Sequence, residues 1–65
     1  MTTARAIEEQ IRETLSEHGE LHVLELADRL EEHPLTVENA CTRLHQNEDI
    51  VPTGRGVFSP NYRTG

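Results

Sequence analysis

Two apolar stripes of identical spacing, Val23, Leu26, Ala27, Leu30 and Val37, Ala40, Cys41, Leu44, stand on either side of a His33-Pro34 step. Each follows i, i+3, i+4, i+7, which lays its four residues along one side of an α-helix. Proline has no N–H and restricts the residue before it, so a single helix running through the step is excluded. The spacing predicts one helix that ends around Glu32 and another, capped by Thr36, over about 36–47 with Asn47 near its end. The roughly four residues between them suit a helix-turn-helix corner better than a relaxed antiparallel hairpin.

Upstream, Ile7, Ile11 and Leu15, with Ala4 extending the row backwards, predict a first helix from about Ala4 to His18 with Thr3 at its cap. Gly19 suits the left-handed end of that helix, and Leu21 and Val23 alternate with Glu20 and His22 as a short extended piece does. Beyond Asp49 the period changes. Ile50 and Val51, then Pro52 to Gly56, then Val57 and Phe58 predict a hairpin at about 50–58, too small to stand without packing on the helices. Ser59 to Gly65 carries no apolar period and is expected to be a flexible tail, residues 59–65, which leaves 1–58 as the folded domain. The expected fold class is α+β, mostly α: three helices and a short C-terminal two-stranded hairpin.

A chain of 65 residues makes one domain with a small core, since folding at this size hides only about 60% of the unfolded surface. The lone Cys41 excludes an internal disulfide, and no repeated Cys/His pattern marks a structural zinc site. No run approaches a membrane span of roughly 18 apolar residues, and MTTARAIEEQ lacks the apolar run of a signal peptide, so a cytoplasmic protein with no membrane partner is expected. With one Phe, one Tyr and no Trp there is little to wall a catalytic pocket. No nucleophile triad, phosphate-binding glycine loop or paired-carboxylate cleft can be assembled, so neither an enzyme nor a cofactor is expected. His18 and His22 lie four apart, but Gly19 ends the helix between them; Cys41 and His45 share a helix, but Cys41 belongs to the buried stripe. Neither pair is expected to hold a metal.

All basic residues are arginine (Arg5, Arg12, Arg29, Arg43, Arg55, Arg63), ten of the 12 acids are glutamate, and the net charge is -6. This acidic, lysine-free composition resembles proteins of salt-in halophiles such as haloarchaea, whose cytoplasm screens self-repulsion; GC-rich coding also replaces lysine by arginine. The charge is unevenly placed. Residues 1–32 hold nine acids against three arginines, whereas in 33–65 three acids balance three arginines. A polyanion is repelled by the first half and tolerated only by the second.

The order helix, short strand, helix, short turn, helix and hairpin resembles the winged helix-turn-helix family over residues 4–58. The resemblance is carried by Leu26-Ala27 with Leu30, by Val37 with Leu44, by Ile50, and by Gly54-Arg55-Gly56 in the wing. The chain departs from the family where glycine commonly ends the third helix: Asn47 or Glu48 stands there, and Asn47 is the better left-handed cap. The wing is also short. The resemblance implies double-stranded DNA binding in transcription control, with helix three in the major groove and the wing on the backbone. Turning the Val37, Ala40, Cys41, Leu44 stripe inward places Asn39, Thr42 and Gln46 outward with Arg43 beside them. These residue types suit direct reading of base edges. Arg55, between two glycines, suits a phosphate or a narrow minor groove, with Arg63 in the tail a lesser candidate. Arg5, Arg12 and Arg29 sit among glutamates and are expected to pair locally. So few phosphate contacts imply a homodimer. The same fold also serves protein contacts, so the alternatives are a protein-interaction module working through the acidic face and an acidic mimic of DNA.

Overall fold

The computed structural model describes residues 4–61. The chain runs α1 (Ala4–His18), β1 (Leu21–His22), α2 (Val23–Leu30), α3 (Pro34–Gln46), β2 (Ile50–Gly54) and β3 (Val57–Pro60). The strands form an antiparallel sheet in the order β1-β3-β2, so the fold is α+β and mostly helical. The expected hairpin gains a third strand: Leu21 pairs with Phe58 and His22 with Val57. This strand ties the α1–α2 connection to the C-terminal hairpin.

The three apolar rows meet in one core of Ile7, Ile11, Leu15, Val23, Leu26, Ala27, Val37, Ala40, Cys41, Leu44 and Ile50. Leu21, Leu30 and Phe58 pack against it while half-buried. Each helix thus places its 3.6-residue stripe inward, as burial of apolar surface requires.

The helix ends depart from the sequence expectation. Thr3, the expected first cap, lies outside the described residues. Gly19 ends α1 with φ +85, and its N–H bonds the Leu15 carbonyl at 2.6 Å. Histidines cap both other helices. His22 Nδ1 accepts the Leu24 N–H and His33 Nδ1 accepts the Leu35 N–H, each at 3.0 Å. Helix α3 therefore starts at Pro34, not after Thr36. Proline is well suited to the first helical position, where its fixed φ is helical and its missing N–H has no partner to lose.

Helix α2 stops at Leu30, short of the expected Glu32, because Glu31 turns left-handed at φ 56 and the Glu32 N–H closes on the Ala27 carbonyl at 2.9 Å. Helix α3 ends the same way. Asn47, expected to be left-handed, has φ -88; Glu48 takes the left-handed position at φ 63, and the Asp49 N–H bonds the Leu44 carbonyl at 2.9 Å. Both ends are Schellman motifs with glutamate where glycine is usual.

The hairpin is longer than its sequence suggests. Pro52 lies within β2, opposite Phe58, with an irregular register between Pro52 and Gly54. β2 is an edge strand, which tolerates the missing N–H. The loop is Arg55-Gly56, with Gly56 at φ +71. A Cβ on Gly56 would sit 2.8 Å from His22 Nε2, and its carbonyl accepts the Val23 N–H at 2.8 Å. Glycine is thus required both by backbone conformation and by the close approach of the α2 cap. Ser59 and Pro60, expected in the tail, complete β3. Asn61 then clamps the α3–β2 turn, its N–H on the Asp49 carbonyl at 3.1 Å and Nδ2 on the Glu48 carbonyl at 2.8 Å. The rest of the expected tail lies outside the described residues.

Candidate nucleic-acid interface

With Val37, Ala40, Cys41 and Leu44 buried, the opposite side of α3 carries Asn39, Thr42 and Gln46, all exposed. Thr42 Oγ1 donates to the Glu38 carbonyl at 3.0 Å, which fixes its rotamer and leaves its methyl group for contact. Leu35 extends this row by one turn and is 57% exposed, so the row reads Leu35, Asn39, Thr42, Gln46 at i, i+4, i+7, i+11. The sequence reasoning passed over Leu35. Its signal was its phase: it lies two residues before Val37, about 200° around the helix from the buried stripe.

Arg43 does not stand in that row. It is on the flank facing α1, where Nε donates to Glu8 Oε2 at 2.6 Å. The sequence placed Arg43 beside the reading residues, and the fold commits it to an ion pair with a carboxylate 35 positions earlier. Arg12 and Arg29 do pair locally, Arg12 with Glu9 at 3.9 Å and Arg29 with Glu25 at 3.0 Å. The side chain of Arg5 and all of Arg63 lie outside the described residues.

Arg55 occupies the exposed tip of the β2–β3 loop and has no ion pair among the described residues. The sheet sets its direction: the β1–β3 pairing and the His22–Gly56 contact hold the loop against the start of α2. Gly56 and Leu35 line the same surface groove, so the loop flanks the N-terminal half of α3. Four of the five residues picked from sequence, Asn39, Thr42, Gln46 and Arg55, are thus exposed and unencumbered by ion pairs, while Arg43 is held.

Cys41 is fully buried, and burial, aided by the Glu38 carboxylate, pushes its thiol up to about 11, far from a reactive thiolate. His18 faces Arg29, with 3.4 Å between Nε2 and the guanidinium, whereas His22 caps α2; the two imidazoles do not converge. Among the described residues, no group of three or more His, Cys, Asp or Glu side chains is arranged to hold a metal ion. No helix among them is long and apolar enough to cross a membrane. Compared with protein-family models, curated proteins and solved structures, the chain matches none.

Proposed function

We propose that this chain is a winged helix-turn-helix domain that reads double-stranded DNA, most simply as a small transcriptional regulator. Helix α3 enters the major groove and the β2–β3 loop rests on the backbone. The observation that carries this reading is the exposed row Asn39, Thr42, Gln46, opposite the buried stripe of α3 and beside a loop tipped by an arginine that has no ion pair among the described residues. Asn and Gln address adenine edges, and Thr addresses thymine methyl or polar edges. Arg55 supplies the phosphate contact that fixes register.

The charge distribution sets the affinity. Net charge -6 opposes approach of a polyanion, and Arg43 and Arg55 are the described cations nearest the reading face. With Arg43 held by Glu8, the phosphate contact from Arg55 gives a log K against log salt slope of about -1 per protomer, well below that of strongly basic DNA-binding domains. Two copies acting together, each placing α3 in successive major grooves, double the contacts, so the domain binds as a homodimer.

Titration of isotope-labelled protein with a mixed-sequence duplex at decreasing KCl tests this. Amide shifts confined to residues 39–46 and 54–56, growing as salt falls, are expected. Arg55→Ala lowers the salt slope by about 1. Glu8→Gln releases Arg43 and tightens binding, whereas Arg43→Ala abolishes that gain. A folded protein whose spectrum ignores the duplex at every salt concentration refutes the reading.

A further inference from the structure

Among the described residues, Leu24 and Leu35 are the large apolar side chains that the fold leaves outside, at 60% and 57% exposure. They lie together. Leu24 is in the first turn of α2, Leu35 in the first turn of α3, and both line a groove of about 400 Å³ with His22, His33, Pro34 and Gly56. A second depression of about 390 Å³ continues from it, sharing Leu24 and Pro34, and its far wall is Asp28, Glu31 and Glu32. The result is one channel across the α2–α3 corner, apolar at the loop end and acidic at the other. Glu38 adds a carboxylate beside the apolar half.

No arginine lines either half of this channel. Asp28, Glu31, Glu32 and Glu38 have no ion pair among the described residues, although the nearby Glu25 is held by Arg29. Such a surface repels phosphate and also repels a second copy of this acidic chain. Its complement is a leucine-sized side chain followed by cationic residues, the apolar group covering Leu24 and Leu35 and the cations meeting the carboxylates.

We propose that the α2–α3 channel is a docking site for an amphipathic, basic segment of a protein partner. The proposal stands whether or not α3 reads DNA, since the channel rather than the Asn39, Thr42, Gln46 row defines it. The apolar half supplies affinity, and the acidic half fixes orientation and selects against acidic segments. The His22 and His33 caps hold both leucines on helix starts, so the site exists before a partner arrives.

The test titrates isotope-labelled protein with a synthetic peptide of about 15 residues carrying leucine on one helical face and arginine on the other. Two control peptides replace every leucine by serine or every arginine by glutamate. Saturable shifts at Leu24, Asp28, Glu31, Leu35, Glu38 and Gly56 with the first peptide, and not with either control, support the site. Leu24→Ser and Leu35→Ser alter exposed positions, and each is expected to weaken binding about tenfold with the native spectrum retained. Asp28→Asn with Glu38→Gln keeps the apolar half intact and is expected to weaken binding while raising its salt independence. The proposal is overturned by shifts that spread equally over Glu9, Glu13 and Glu17 of α1, or by unchanged binding in the leucine variants. It is equally overturned by groove shifts that grow with protein concentration alone, which assign the surface to a second copy, or by duplex-induced shifts at Leu24, Asp28 and Glu31, which lie outside the DNA-reading row and loop.

Discussion

Cys41 stands at full burial on the core side of α3, with its thiol pushed up to about 11 from 9.0 by burial first and by the Glu38 carboxylate second. The folded protein therefore holds its proton through a pH range in which the unfolded chain loses it. Its contribution to stability is complete below pH 9 and is lost as pH rises toward about 11, because the unfolded state there binds fewer protons. Unfolding free energy measured by denaturant titration is expected to fall by about 3 kcal/mol over that interval, and by clearly less in Cys41→Ala. A thiol reagent at pH 8 is expected to label Cys41 only on unfolding. The burial of Cys41 was legible from its place in the i, i+3, i+4, i+7 row. The engagement of Arg43 was not: helix phase puts it on a flank, and nothing local says that Glu8 of α1 faces that flank.

Helix termini are decided by competition among neighbouring residues, and here the chain resolves it with unusual ones. Histidine imidazoles replace Ser, Thr, Asp or Asn at two N-caps, and glutamates replace glycine at two left-handed C-terminal positions. A residue with a Cβ costs about 1–2 kcal/mol in that conformation, and a carboxylate at a helix C-terminus also opposes the macrodipole. Glu31→Gly and Glu48→Gly are each expected to stabilise the fold by about 0.5–1 kcal/mol, after glycine's larger loss of chain entropy, raising Tm by several degrees. Glu48→Ala removes the same charge without relieving the backbone. Thermal melts should therefore place it well below Glu48→Gly, and equal Tm values would reject the argument. Asn47 was the better candidate by propensity alone, but the Asp49 N–H bond to Leu44 and the Asn61 clamp on residues 48 and 49 fix the left-handed turn one residue later.

Across the whole molecule, the excess negative charge lies in residues 1–32, while the sheet and α3 are built mainly from the balanced second half. Arg12, Arg29 and Arg43 each answer one glutamate, leaving Glu13, Glu17 and Asp28 of α1 and α2 exposed and without an ion pair among the described residues. Exposed pairs of this kind contribute about 0–1 kcal/mol each, too little to offset the repulsion at low ionic strength. Circular dichroism melts are expected to show Tm rising steeply from 10 mM toward molar KCl. A double Glu13→Gln, Glu17→Gln variant should start higher in low salt and gain less. A salt-independent Tm in the parent chain would show that self-repulsion does not limit this fold.

The three helices and the hairpin, with nearly every core residue, were determined by the chain's own periodicity, because a helix or strand exposes its apolar side at a spacing that can be counted. The outward direction of Asn39, Thr42 and Gln46 followed from the same count. Only the tertiary structure decided what lies between elements. It turned Leu21–His22 into a third strand, drew Ser59 and Pro60 into β3, tied Arg43 to Glu8, and brought Leu24 and Leu35 from two different helices into one groove. Each of these joins residues at least 8 positions apart, and their distance in space depends on how helices cross and strands register, which no local pattern of side chains encodes.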